Sequence, residues 1–174
     1  TRDYEREREV LKGAHDQARE LGLDPEVAEQ IMGILIRASL THQEQTRVAS
    51  QTPGAGKRVL IIGGAGKMGA WVGQFLSSQG YAVEISDPSD ASSPFARIAD
   101  WRADALEHDI IVVATTMTAA GAVLAELAAR KPRGVIFDIG SLKSPLRSGL
   151  EALAAAGCKV TSIHPMFGPD TRLL

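Results

Sequence analysis

Apolar residues recur along this chain at two different spacings. Before about residue 50 the spacing is helical. A charged run from Asp3 to Leu21 is stopped by Gly22, and Asp24-Pro25 then supplies an N-cap followed by proline at the first helical position. In the second helix Val27, Ile31, Ile34, Leu35 and Ala38 share one face of a 3.6-residue period, while Met32, Ile36 and Leu40 occupy another. A helix apolar over so much of its circumference needs more cover than one short neighbour gives. A further helix, from a second chain or from outside this sequence, is therefore expected on it.

After Pro53 short apolar runs alternate with helical stretches. The pattern predicts strands at Val59–Ile62, Tyr81–Ser86, Asp109–Ala114, Gly134–Asp138 and Lys159–Ile163. Between them it predicts helices at Gly66–Ser78, Ala119–Ala129 and Pro145–Ala156, with helical or irregular chain from Pro94 to Leu106. Strands separated by helices argue for a parallel sheet covered on both faces, because parallel neighbours need crossover connections. The expected fold class is a doubly wound α/β domain preceded by a short all-helical hairpin. The cluster Ser50-Gln51-Thr52-Pro53-Gly54-Ala55-Gly56 separates the two patterns and reads as a linker. The expected division is a helical segment over 1–49, a linker over 50–56 and the α/β domain over 57–174.

Composition narrows the function. With 19 Lys+Arg against 21 Asp+Glu and a net charge of -2, there is no basic field for nucleic acid, and no stretch approaches the ~20 apolar residues of a membrane span. Cys158 is the one cysteine, so no disulfide framework exists within the chain. With no apolar signal stretch at the N-terminus, a reducing cytoplasm is the expected setting. No metal site is expected.

The most informative motif is Gly64-Ala65-Gly66-Lys67-Met68-Gly69, which fits G-x-G-x-x-G. It follows the first predicted strand, opens a helix, and is followed at the end of the second strand by Asp87. In this reading Gly64 allows the tight turn, Gly66 lets backbone approach a pyrophosphate, and Gly69 permits close helix-on-strand packing. The helix N-terminus, opened by Lys67 and Met68, offers unpaired N–H groups and partial positive charge to the phosphates. Asp87 would accept hydrogen bonds from the ribose hydroxyls and repel a 2′-phosphate, which points to NAD rather than NADP. The fold expected is therefore the dinucleotide-binding (Rossmann) form of the doubly wound sheet.

In such sheets ligands bind outside the carboxyl ends of the strands. Thr115 and Thr116 close one strand there, and serve either as helix caps or as cofactor contacts. Ser141 and Lys143 follow another strand. Ser144-Pro145 is expected to supply the later helix with its N-cap and first residue, leaving Ser141 free for other work. His164 opens His-Pro-Met-Phe-Gly-Pro-Asp, a stiff loop that holds an imidazole able to accept a proton or hydrogen bond near neutral pH. His15, His42 and His108 read as surface residues.

Gly63 to Gly69, Asp138-Ile139-Gly140-Ser141-Leu142-Lys143 and His164-Pro165-Met166-Phe167-Gly168-Pro169-Asp170 together resemble prephenate dehydrogenase, over nearly all of residues 57 to 170. The N-terminal segment extends the resemblance to the bifunctional form carrying an all-helical chorismate mutase. Asp3, Arg6 and Glu7 match that family's D-x-x-R-E, and Ser39 and Gln43 its S-x-x-x-Q. The resemblance implies oxidative decarboxylation of prephenate with NAD, with His164 and Ser141 at the reacting ring. It also implies a mutase pocket partly lined by Asp3, Arg6, Glu7, Ser39 and Gln43, and a homodimer. The family's first mutase helix and its C-terminal helical domain have no counterpart in this sequence. The chain is thus expected to be the middle of a larger protein, binding NAD while turning over prephenate poorly and chorismate hardly at all. Arogenate dehydrogenase, a protein in which only the mutase matters, and an NAD-binding module without turnover are the alternatives.

Overall fold

The structure is a computed structural model that describes residues 4–51 and 53–171. The chain divides into two compact units, one ending at Ser50 and the other beginning at Gln51.

The first unit contains α1 (Tyr4–Glu20) and α2 (Pro25–Gln51). Gly22, at φ +69°, ends α1 in the left-handed conformation that glycine adopts without a Cβ penalty, and the Leu23 N–H returns to the Ala18 carbonyl at 2.9 Å. Asp24 caps α2: its Oδ1 accepts from the N–H of Glu26 at 2.9 Å and of Val27 at 3.4 Å. Helix α2 continues to Gln51, inside the stretch read as a linker. Met32, Ile36 and Leu40 are half-buried, while Val27, Ile31, Ile34 and Leu35 are exposed. The larger apolar face of α2 is therefore the uncovered one within its unit.

The second unit is a six-stranded, all-parallel sheet in the order β3-β2-β1-β4-β5-β6. Its strands are β1 (Arg58–Ile62), β2 (Ala82–Ser86), β3 (Ala96–Arg97), β4 (Ile110–Val113), β5 (Val135–Asp138) and β6 (Lys159–Ser162). Helices α3 (Lys67–Ser78), α4 (Met117–Arg130) and α5 (Arg147–Ala155) cover it. Alternation along β1 shows both faces buried. Leu60 and Ile62 join Ile111, Val113, Leu124, Leu127 and Leu153 in one core, whereas Val59 and Ile61 join Val72, Leu76, Val83 and Ile85 in the other. The strand order reverses between β1 and β4, which makes their carboxyl ends the crevice for ligands.

Two local expectations need correction. The chain from Pro94 to Leu106 contains β3, which pairs with Glu84 and Ile85 of β2 and is too short to show any alternation in sequence. Ser144 does not cap α5. It opens a 3-10 turn (Ser144–Leu146), and Leu146 is the residue preceding the α-helix.

Candidate cofactor and substrate site

β1 delivers the chain to the glycine turn. Gly63 is the left-handed residue there, at φ +87°, and its N–H donates to the Ser86 carbonyl of β2 at 2.8 Å. A side chain at Gly63 would press on the Ala114 backbone, and one at Gly64 on Ile85. At Gly69, in the first turn of α3, a Cβ would strike the Gly63 carbonyl, so helix and turn are in backbone contact. Gly66 differs. Its φ is -69°, and the nearest atom to an added Cβ is the Gly63 carbonyl oxygen at 3.4 Å. Nothing in the chain itself requires glycine at position 66, which fits a place where a ligand takes the room. No side chain caps α3, which leaves its first N–H groups facing outward with the positive end of the helix.

Asp87, half-buried just after β2, accepts from the Ala65 N–H at 3.0 Å and from the Ser89 N–H at 2.8 Å. It therefore ties the end of β2 to the glycine turn. The Arg97 guanidinium holds the following loop, donating to the carbonyls of Asp87, Ser89 and Ala91. Asp87, Gly63, Trp101 and Thr115 line a cleft of about 430 Å³. Sequence reasoning missed the Trp101 wall, because it sits in the loop after the unrecognised β3.

A second cleft, about 360 Å³, lies at the carboxyl ends of β4, β5 and β6 and brings together Met68, Thr115, Ser141 and His164. Thr115 borders both clefts. Thr116 stands at the N-cap of α4, but its hydroxyl meets Thr118 Oγ1 at 3.1 Å and caps no N–H. Ser141 and His164 are exposed. The loop that His164 opens is fastened to α3 by Trp71, whose Nε1–H donates to the Thr171 carbonyl at 2.7 Å and whose ring lies 4.4 Å from that of Phe167. Trp71 was not singled out from the sequence, since a tryptophan on a helix reads as core.

Lys143 also went unassigned. Its ammonium donates to Asp138 Oδ1 at 2.9 Å and to the Ile163 carbonyl at 2.7 Å. His108 is buried rather than superficial, with 2% exposure. It lies just before β4, on the side of the sheet away from the strands' carboxyl ends, where its Nε2 is 3.0 Å from Glu84 Oε2 and Arg58 donates to the same oxygen at 2.7 Å. Burial pushes the Glu84 carboxyl up, but the hydrogen bonds from Arg58 and His108 outweigh it and leave the group below its ordinary value.

In the helical unit Gln43 Nε2 donates to Ser39 Oγ at 3.3 Å. Arg6 is exposed and Glu7 half-buried, and both take part in interactions. Asp3 lies outside the described residues. A cleft of about 570 Å³ in this unit is lined by Leu11, Glu29, Gly33 and Arg37 among others, and by none of the four candidates among the described residues, Arg6, Glu7, Ser39 and Gln43. Among the described residues no group of three His, Cys, Asp or Glu side chains is placed to hold a metal, and no helix is long and apolar enough to cross a membrane.

Two known families match separate parts of the chain. The family described as prephenate dehydrogenase, nucleotide-binding domain, matches residues 79–172, and chorismate mutase type II matches residues 1–44. T-protein of Enterobacter agglomerans is 29% identical over 171 residues, which cover 96% of this chain and 42% of that protein. T-protein of Haemophilus influenzae is 25% identical over 168 residues, covering 95% and 42%. A probable arogenate/prephenate dehydrogenase of Methanocaldococcus jannaschii is 27% identical over 121 residues, covering 65% and 27%. The chain thus spans well under half the length of these relatives.

Proposed function

Because the chain belongs to the prephenate dehydrogenase family through its nucleotide-binding domain, we propose that it is the cofactor-binding part of an enzyme of tyrosine biosynthesis. The reaction converts prephenate and NAD to 4-hydroxyphenylpyruvate, carbon dioxide and NADH. The residues preceding it form part of a chorismate mutase, the isomerase that makes prephenate. The observation that carries this reading is the meeting of Met68, Thr115, Ser141 and His164 in one cleft beside the glycine turn.

Gly64, Gly66 and Gly69 with the N-terminus of α3, opened by Lys67 and Met68, would hold the pyrophosphate, and Asp87 the ribose. Thr115, which borders both clefts, and Thr116 beside it would meet the nicotinamide half of the cofactor. When bound, NAD supplies an acceptor for the hydride that leaves the ring carbon bearing the hydroxyl. His164 accepts a hydrogen bond from that hydroxyl as carbonyl character grows, and Ser141 aligns the ring against it. Loss of the ring carboxylate as carbon dioxide restores aromaticity, so the side chains orient and polarise and need not form a covalent bond. In the mutase part Arg6, Glu7, Ser39 and Gln43, with Asp3, would border the chorismate pocket. There the work is binding two carboxylates and stabilising charge on the breaking ether oxygen. The enzyme is read as a cytoplasmic homodimer.

Arogenate is a second substrate to consider, because the Methanocaldococcus jannaschii relative is named for both. The test is NADH formation from NAD with prephenate and, in parallel, arogenate. It uses this chain and the complete protein that contains it. Turnover of prephenate by the complete protein supports the reading, and turnover of arogenate alone replaces the substrate. Cofactor binding with neither turnover leaves a dinucleotide-binding module and removes the dehydrogenase.

A further inference from the structure

The two loops that carry Ser141 and His164 leave neighbouring strands, β5 and β6, and nothing in a parallel pair fixes their tips relative to one another beyond the last ladder bond. That bond runs from the Ile163 N–H to the Asp138 carbonyl at 3.1 Å. One side chain spans the gap above it. The Lys143 ammonium donates to Asp138 Oδ1, on β5, and to the Ile163 carbonyl, in the peptide unit that leads into His164. The same Asp138 oxygen accepts from the Gly140 N–H at 2.9 Å, immediately before Ser141.

Asp138 is fully buried, with 0% exposure. A buried carboxylate needs a counter-charge close by, and Lys143 is the cation that meets it, so the ammonium is drawn to one place rather than left to wander in solvent. The direction is fixed by chemistry as well. An ammonium has three donors and no acceptor, and two of them are committed to oxygens at the end of β5 and just beyond the end of β6.

We propose that Lys143 is a positioning residue for His164: by joining the buried Asp138 carboxylate to the Ile163 carbonyl, it sets the imidazole at the height and angle that the Ser141 loop requires. The proposal rests on the reading of His164 as the acceptor of the substrate hydroxyl. Without the ammonium, the Ile163 carbonyl loses a partner and the peptide carrying His164 is free to rotate, while among the described residues the Asp138 side chain keeps only the Gly140 N–H.

The test is a double-mutant cycle on the complete protein with Lys143→Met, His164→Asn and the pair. If Lys143 acts through His164, Lys143→Met lowers kcat by roughly tenfold to a hundredfold, the scale of a small misplacement. In that case KM for prephenate and Kd for NAD stay within about twofold of wild type. In the His164→Asn background the same change then costs nothing more. Lys143→Arg, which keeps the charge and donors, should lose less than Lys143→Met. A raised KM with unchanged kcat makes Lys143 a substrate contact and overturns the proposal, as do losses that multiply in the double variant or equal losses for Met and Arg.

A second arm needs no turnover. In this chain the ring resonances of His164, identified by their absence from His164→Asn, should shift in Lys143→Met or, where that variant does not fold, in Lys143→Arg. Unchanged resonances overturn the tether. If the wild-type protein turns over neither substrate, the enzymatic reading falls, and the ring resonances still decide whether Lys143 holds His164.

Discussion

Asp87 is a carboxylate with two jobs. It already accepts from the Ala65 and Ser89 N–H groups, one on each oxygen, and each oxygen retains a lone pair for a ribose hydroxyl. Its charge is what discriminates, because a 2′-phosphate brought beside it meets like-charge repulsion. Asp87→Ser should narrow the preference for NAD over NADP by at least about tenfold, or about 1.4 kcal/mol. Titrating both dinucleotides against this chain measures it, and an unchanged ratio removes the role. His164 predicts a different signature. His164→Asn in the complete protein should lower kcat by roughly 10²–10⁴-fold with NAD affinity intact, the usual range for a positioned acid–base group; near-normal turnover would sink the assignment. The contrast between His164 and His108 shows what single residues reveal in sequence. His164 was legible because prolines and glycine around it announce a stiff loop at a strand end. His108 was not, because the groups its ring meets, Arg58 and Glu84, come from strands far away in the chain. Lys143 was half legible: its position was noticed, but its partner just after the next strand is a backbone carbonyl that carries no sequence signal.

At the level of elements the strand–turn–helix of β1, the glycine turn and α3 makes two glycines separable by experiment. Gly69 sits in the first turn of α3, where a Cβ would meet backbone that cannot move without lifting the helix from the turn. Gly69→Ala should therefore destabilise the second unit by about 1–3 kcal/mol, the range for overpacking. Gly66 has ordinary φ and open space for a Cβ within the chain. Gly66→Ala should leave the melting temperature almost unchanged and weaken NAD binding, since the added methyl group occupies the approach of the pyrophosphate. Melting curves with and without NAD distinguish the two. If Gly66→Ala binds NAD as wild type does, the phosphates pass elsewhere. β1, β4 and β5 were readable as apolar runs framed by turn or helix signals, β2 by the alternation of Val83 and Ile85 about Glu84, and β6 by its place after the Gly157 stop. β3 was not. Two residues, Ala96 and Arg97, cannot display a period, and their pairing is sustained by β2 and by the Arg97 bonds to the loop after it. The 3-10 turn at Ser144–Leu146 was hidden by a similar ambiguity, since Ser-Pro opens either kind of helix.

Across the whole molecule the two units differ in how much core they own. The sheet unit buries side chains on both faces, with Leu60, Ile61, Ile111, Leu124, Leu127 and Leu153 all at 0% exposure. In α1 only Ala18 is buried, and α2 exposes Val27, Ile31, Ile34 and Leu35 along one stripe. Helices owe most of their stability in water to packing of such a stripe, so this unit is marginal unless its apolar face is covered. The proposed homodimer would supply that cover, and it has a thermodynamic consequence. Circular dichroism of the chain should show two melting transitions. The lower one, loss of α1 and α2, should rise in temperature as protein concentration rises, because association stabilises only what it buries. The upper one should ignore protein concentration and respond to NAD, gaining about 2.7 kcal/mol at a hundredfold excess over Kd. Ile31→Glu with Leu35→Glu should abolish the concentration dependence while leaving the NAD-linked shift in place. A lower transition that stays fixed across a wide dilution series would mean that the α2 stripe does not join two copies, and the dimer would have to be sought on another surface.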